Sequence, residues 1–146
     1  MHIEKKYILN APASEVWKLV SDPKEISRCL PGLESFEEKK NNHFIAKVKP
    51  KFSFVRGSLE LDIQVVSLKN KNAKIKMSGK SIGTSFSILT EAKLKDVKGK
   101  TEVLWSADMK PGGLMKAVPE SITKGAAEEL ADEIFSCMKK KIEGKK

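Results

Sequence analysis

Side chains that could perform catalysis or bind a metal are few in this sequence. Its two histidines are His2, beside the N-terminus, and His43, at a predicted hairpin tip. General acid–base catalysis needs a titratable group held in a cavity with a tuned pKa, and neither position suits that role. The chain also lacks an HExxH metal motif and a complete phosphate-binding loop. We therefore expect no catalytic residue, no metal site and no cofactor.

The two cysteines, Cys29 and Cys137, lie far apart in the sequence, and neither belongs to a CxxC pair. This spacing argues against a disulfide framework and against a thiolate metal site, and it favours a reducing, intracellular setting. We expect Cys29 to be a buried structural thiol, since free cysteine is among the most buried residue types. Arg28 stands beside it, so whether Cys29 is reactive stays open.

Composition predicts one globular domain over residues 1–146, with 40% hydrophobic and 32% charged residues. The net charge is +9, and nearly all of the basic residues are lysine, so arginine-based reading of nucleic acid bases is not expected. The N-terminal residues contain no apolar run of a secretory signal, and no apolar run could span a bilayer. We expect a cytoplasmic protein. A weaker alternative is peripheral contact with an anionic inner membrane face through 139–141 and 145–146.

Hydrophobic periodicity predicts an α+β fold. A first strand near His2–Leu9 precedes two short helices, the second capped by Asp22 with Pro23 at its first position. Period-two alternation then predicts six further strands between residues 33 and 109, joined by short turns. A helical stripe follows from about residue 115 to residue 142. Whether Pro119 opens this helix or kinks a longer one cannot be decided from the pattern.

This order of elements predicts a cavity. Seven strands in a meander form a curved antiparallel sheet, and one long C-terminal helix cannot fill the concave face completely. The expected lining consists of apolar positions on the inner rows of the sheet and on the helix: Phe44, Val48, Leu61, Ile63, Met77, Phe86, Ile88, Trp105, Ile122, Gly125 and Ala126. The turn formed by Leu30, Pro31 and Gly32 is expected at the cavity mouth.

Four segments carry a resemblance to a known family. They are residues 10–17 (NAPASEVW), Asp22 and Pro23 followed by 29–32 (CLPG), 56–61 (RGSLEL), and 112–114 followed by 126–135 (AAEELADEIF). The chain resembles the START-like, polyketide-cyclase-related superfamily with the helix-grip fold. Within that superfamily it is most similar to the family of the G-subunit of carbon monoxide dehydrogenase.

The resemblance implies an accessory protein of a CO-dehydrogenase-type molybdenum hydroxylase. It also implies a non-enzymatic domain whose cavity takes a hydrophobic small molecule, quinone-like or lipid-like. Two alternatives stay open. One is a cyclase- or aromatase-like enzyme, because such enzymes use the same fold. The other is a pure protein-interaction adaptor whose own side chains fill the cavity.

Overall fold

The computed structural model describes residues 1–52, 55 and 57–144. Its elements, in chain order, are β1 (His2–Leu9), α1 (Ala13–Val20), α2 (Pro23–Ser27), β2 (Leu33–Lys40), β3 (His43–Val48), β4 (Leu59–Lys69), β5 (Asn72–Ser81), β6 (Thr84–Val97), β7 (Lys100–Gly113) and α3 (Glu120–Glu143). Arg56, which the family resemblance includes, and the terminal Lys145 and Lys146 of the proposed membrane contact lie outside the described residues.

The strands β1 to β7 form a single antiparallel sheet in the order β1-β7-β6-β5-β4-β3-β2. Each strand from β2 to β6 pairs with the next strand in the chain, and β7 also pairs with β1. The helices α1 and α2 lie in the connection from β1 to β2. Register shifts interrupt the β2–β3 pair and the β4–β5 pair. Such bulges bend a strand and increase its twist, so the sheet curls. The predicted α+β helix-grip architecture is confirmed.

The hairpin turns show why the strands end where they do. Asn70 and Lys71 both adopt positive φ, 56° each, between β4 and β5, and Lys98 and Gly99 do the same between β6 and β7. Two successive left-handed residues form the type of two-residue turn whose twist matches antiparallel strands. The predicted turns at these positions are therefore present. The strands extend up to the two-residue turns, and Asn72, predicted as a turn residue, begins β5.

The helix boundaries follow local signals. The Asp22 carboxylate accepts a hydrogen bond from the Lys24 amide at 3.1 Å, and Pro23 takes the first position of α2, as predicted. Pro119 directly precedes α3, and a 3₁₀ turn over Leu114–Ala117 links this helix to β7. Pro119 thus opens the main helix and does not kink a longer one. Proline tolerates this position because its missing N–H would have had no intrahelical partner.

Buried side chains of the described residues form two separate clusters. The larger one joins α1, β1, β7 and the second half of α3, with Val16, Val103 and Met138 almost completely buried. The smaller one lies where β3 and β4 pair, around Ala46, Val48, Leu59 and Leu61. The two clusters hold opposite parts of the sheet, and the space between them is the site described next.

Candidate functional site

A cavity of about 190 Å³ lies between the inner face of the sheet and the three helices. Its lining combines α1, α2 and the following loop with β2, β4–β7 and α3. The residues are Val20, Pro23, Ile26, Ser27, Leu30, Phe36, Ile63, Ala73, Ile75, Met77, Ile88, Thr90, Ala92, Trp105, Ala127, Leu130, Ala131, Ile134, Phe135 and Met138. Nearly every lining side chain is apolar, and no member of this set is titratable.

The structure brings four of the predicted sheet positions together around this cavity: Ile63, Met77, Ile88 and Trp105. Register explains their convergence, because Ile63 pairs with Met77 and Met77 pairs with Ile88 across three adjacent strands. Side chains at directly opposite positions of neighbouring strands share one face of the sheet. Their role in binding a ligand stays a prediction.

Four other predicted positions lie outside the lining, in or beside the smaller buried cluster. Val48 and Leu61 belong to the smaller buried cluster, and the Phe86 ring packs against it and covers Gly79. Phe44 is buried with its ring stacked on Phe36, at 5.2 Å between centroids. These side chains pack within or against the smaller cluster and do not line the cavity.

The predicted face of α3 needs correction at its N-terminal end. Ile122 is 51% exposed, Ala126 is half-buried outside the lining, and a Cβ placed on Gly125 would meet no atom within 4 Å. The predicted stripe advanced mainly in steps of four residues, and each such step turns about 40° beyond a full helical turn. Over four steps the stripe therefore drifts around the helix, so Ile122 and Met138 cannot share a face. Thr123 and Ala127 take the inward positions instead.

Only one of the three residues predicted at the cavity mouth lines the cavity. Leu30 lines the cavity, whereas Pro31 and Gly32 do not. Gly32 has φ +70°, its carbonyl accepts a 2.8 Å hydrogen bond from the Lys49 amide, and a Cβ there would collide with the Lys49 carbonyl oxygen. Gly32 is thus required by the close approach of two backbone segments. Gating by this turn stays a prediction.

The short helices α1 and α2 and the inner face of α3 contribute lining residues that were not predicted from the sequence. Val20, Pro23, Ile26 and Ser27 close one end of the cavity. Their apolar helical spacing indicated burial but not the partner surface. Ala127 belongs to the same unpredicted set.

The expected free thiols are not found. Cys29 and Cys137 form a disulfide, with 5.6 Å between their Cα atoms and a sequence separation of 108. The expectation failed because α3 returns across the sheet and brings its second half to the end of α2, which no sequence spacing reveals. The disulfide also removes the cysteine-based argument for a reducing compartment.

Polar contacts reinforce this junction between α3 and the rest of the molecule. Asp132 Oδ1 accepts hydrogen bonds from Lys5 Nζ at 2.6 Å and from the Tyr7 hydroxyl at 2.7 Å. These bonds hold the pKa of Asp132 below its usual value, with Lys5 as the larger cause. Burial, followed by the bond to Asp132, raises the pKa of Tyr7, whose ring stacks on Phe135 at 4.0 Å. Lys141 additionally contacts the Glu25 carboxylate at 3.4 Å.

Both histidines are engaged away from the cavity. His2 lies within β1, where its ring contacts Asp108 at 2.6 Å and Glu4 at 3.0 Å. Hydrogen bonds to Glu4 and then to Asp108 raise the pKa of His2. His43 Nε2 contacts Asp62 at 2.8 Å across the β3–β4 pair. Among the described residues no cluster of three or more His, Cys, Asp or Glu side chains could hold a metal ion.

Residues 79–83 form a motif that the expectation of no catalytic residue overlooked. They read GKSIG, which matches the GxSxG spacing of nucleophilic serines in α/β-hydrolases. That motif requires a sharp turn from a strand into a helix. Here Ser81 is the last residue of β5, and the chain turns directly into the antiparallel strand β6. The motif is therefore a β-hairpin in this fold and not a nucleophile elbow.

Within the described part of the chain, no helix is both long and apolar enough to cross a membrane. Residues 7–143 match the family model of the carbon monoxide dehydrogenase G-subunit, CoxG. A search of curated proteins found no sequence with significant similarity.

Solved structures share the fold over nearly the whole chain. A conserved protein from Geobacillus kaustophilus superposes with a TM-score of 0.92 at 20% identity, covering 99% of this chain and 96% of its own. A START superfamily protein from Mycobacterium smegmatis gives 0.78 at 14% identity, covering 98% and 97%. The Zhui aromatase/cyclase from Streptomyces sp. R1128 gives 0.64 at 10% identity, covering 97% and 95%. At these identities the similarity establishes the fold alone.

Proposed function

Because the chain belongs to the CoxG family of carbon monoxide dehydrogenase G-subunits, we propose that it is a non-enzymatic binding protein for a hydrophobic small molecule. In this proposal it serves as an accessory factor of a CO-dehydrogenase-type molybdenum hydroxylase. The bound molecule is quinone-like or lipid-like in its hydrophobic character, and residues 1–146 act as one binding domain.

The observation that carries the proposal is the apolar cavity of about 190 Å³ between the sheet and α3. Protein interiors are normally packed to the density of organic crystals, with few voids larger than a water molecule. Lining atoms that face an apolar space of this size have no protein partner on that side, and a ligand would supply the missing dispersion contacts. A hydrophobic ligand would therefore gain both burial and contacts on binding.

Filling the cavity tests the proposal, and two adjacent alanines provide a matched pair. Ala127 lines the cavity, whereas Ala126 does not. Ala127→Trp should occupy the space and abolish binding of a fluorescent hydrophobic probe, while Ala126→Trp should leave probe binding intact. Thermal unfolding is measured in parallel, because overpacking a filled core costs ~1–3 kcal/mol. A parent protein that binds no probe, together with strong destabilisation by Ala127→Trp, would contradict the proposal and favour the adaptor alternative.

The proposed partner, a CO-dehydrogenase-type molybdenum hydroxylase, follows from family membership. A separate experiment tests it. Purified carbon monoxide dehydrogenase from the same organism is mixed with this protein, and sedimentation velocity measures complex formation. We expect a complex whose amount increases with the concentration of either component. Two species that sediment independently at micromolar concentrations would contradict the accessory role.

The enzyme alternative has fold similarity to an aromatase/cyclase in its favour. Against it stands the lining, in which Ser27 and Thr90 are the polar side chains besides the Trp105 indole. Acid–base catalysis needs a group that exchanges protons near the working pH, and a serine or threonine hydroxyl does not do so without an adjacent base. Turnover of an aromatic polyketide substrate by the parent protein that is kept in Ala126→Trp but lost in Ala127→Trp would support this alternative.

Weak contact with an anionic membrane through Lys139, Lys140 and Lys141 is a subsidiary part of the proposal. Lys141 contacts Glu25 and Lys139 contacts Glu143 within the chain, so intramolecular acids already offset part of this charge. Vesicle sedimentation tests the contact. Binding to anionic vesicles should exceed binding to neutral ones and should fall with added salt, because salt screens exposed charges. Equal sedimentation with both vesicle types would remove this part.

A further inference from the structure

The size of the cavity limits what can occupy it. An apolar cavity of ~150 Å³ in an unrelated protein accommodates a single benzene molecule. The cavity here, at about 190 Å³, exceeds that volume only by the equivalent of one or two substituents. A long acyl or isoprenoid chain does not fit inside it, and most of such a chain would have to extend beyond the lining residues.

The charge of the ligand is limited by what the lining lacks. None of the lining side chains is titratable, so a carboxylate, phosphate or ammonium group would find no charged partner there. Placing an ion in such surroundings without a partner is strongly unfavourable. The part of a ligand that the lining surrounds must therefore be uncharged.

Hydrogen bonding is limited as well. Ser27 Oγ already donates to the Lys24 carbonyl at 2.7 Å, and Thr90 Oγ1 donates to the Ile75 carbonyl at 3.2 Å. Both hydroxyl hydrogens thus already bond to backbone carbonyls and are not available to a ligand. Trp105 carries the one side-chain N–H among the lining residues, and an indole N–H can only donate. The lining can therefore offer a polar ligand very few hydrogen bonds.

We infer that the cavity accepts an uncharged molecule of about one six-membered ring with short substituents, or the ring end of a longer molecule whose chain stays outside. This inference rests on the hydrophobic-ligand function proposed above and narrows it. It identifies the ring and not the chain as the part recognised, and it excludes the carboxylate of a fatty acid and other anionic groups from the cavity.

Three probes separate size from charge. Toluene and benzoate have the same ring, but toluene carries a methyl group where benzoate carries a carboxylate. Dodecanol is uncharged and has a long extended chain. Titration followed by NMR measures each dissociation constant at pH 7, with the parent protein and with the Ala127→Trp and Ala126→Trp variants. We expect toluene to bind at least tenfold more tightly than benzoate. Dodecanol should bind no more tightly than toluene. Ala127→Trp should weaken toluene binding at least tenfold, and Ala126→Trp should not.

Failures of the two proposals are distinguishable. Dodecanol binding more than tenfold tighter than toluene, and lost in Ala127→Trp, would overturn the ring inference while the hydrophobic-ligand function stands. Benzoate binding as tightly as toluene would overturn the exclusion of anions. Absence of binding for all three probes would overturn the proposed function together with the inference.

Discussion

The two halves of α3 are attached to the molecule very differently. The second half, from Leu130 to Glu143, is tied to three other elements: the disulfide at Cys137 reaches the loop after α2, Asp132 bonds to β1, and Lys141 contacts α2. In the first half, residues 120–129, Thr123 is the one buried side chain, at 3% exposed. One continuous helix therefore combines a fastened end with a loosely packed end.

This difference indicates how the cavity could exchange its contents. Ile134, Phe135 and Met138 form its wall on the fastened half, whereas Ala127 lies on the loosely packed half. Regions with few buried apolar contacts open at lower free energy than the core does. We therefore expect a ligand to enter and leave the cavity beside the first half of α3, while the second half stays in place and maintains the cavity wall.

Removing the disulfide should produce the largest effect. A crosslink that closes a loop of about 100 residues contributes ~4–5 kcal/mol in the chain-entropy model. The Cys29→Ser/Cys137→Ser variant, or dithiothreitol with the parent protein, should lower the free energy of unfolding measured with urea by a comparable amount. Release of bound toluene should also accelerate, because the fastened half becomes freer. Dithiothreitol added to the double variant is the control. An unchanged urea midpoint for the reduced parent would mean that the crosslink does not stabilise the protein.

Truncating one apolar side chain in each half should sharpen the contrast. Met138 is 1% exposed, and Met138→Ala should cost ~3 kcal/mol, because deleting a buried side chain loses its transfer energy and leaves a cavity. Ile122→Ala, at a position half exposed to solvent, should cost less than about 1 kcal/mol. Urea unfolding measures both. Equal losses for the two variants would show that the first half of α3 is packed as firmly as the second.

Acid should weaken the contact between α3 and β1. The pKa of Asp132 is lowered in the folded protein, mainly by the bond from Lys5, so this carboxylate stabilises the fold above its unfolded pKa of about 3.9. The contribution is lost progressively as the pH falls below about 4 and through the lower pKa of the folded carboxyl, where the group becomes protonated. Since the Asp132 side chain is 52% exposed, solvent screening limits it to ~1 kcal/mol or less.

Asp132→Asn tests this contribution, with the stability difference between pH 6 and pH 3 as the measurement. The variant should lose less stability over this interval than the parent does. Glu129→Gln, which changes a neighbouring exposed carboxylate on the same helix, is the control and should behave like the parent. If Asp132→Asn and the parent lose equal stability on acidification, the carboxylate does not fasten the helix.

Adding a methyl group to the loosely packed half should have the smallest effect, and it should be favourable. Gly125 lies inside α3 with open space around its Cβ position, so Gly125→Ala meets no steric obstacle. Alanine restricts the unfolded chain and favours helix, which should raise the free energy of unfolding by ~0.5 kcal/mol. A loss of stability would reveal a close contact at Gly125.

Local patterns were sufficient for the architecture. Alternation in 59–65 and the turn residues Asn70, Lys71 and Gly99 placed the strands, and Asp22 with Pro23 placed α2. The β2–β3, β4–β5, β5–β6 and β6–β7 connections have two residues each, so these neighbours in sequence became neighbours in the sheet. The inner sheet positions Ile63, Met77, Ile88 and Trp105 were also within reach of the sequence, since side-chain parity along a strand fixes which face each residue occupies.

The sequence by itself thus determined the elements, their order and the apolar inner face of the sheet. Only the tertiary structure decided which half of α3 is fastened, which of its residues face inward, and that Cys29 and Cys137 meet. These features depend on the angle at which one helix crosses a curled sheet and on its rotation about its own axis. A rotation of about 100° separates neighbouring helical residues, so a displacement of one position exchanged Ala126 for Ala127 at the cavity. Contacts between distant parts of the chain fix that rotation, and no local pattern encodes it.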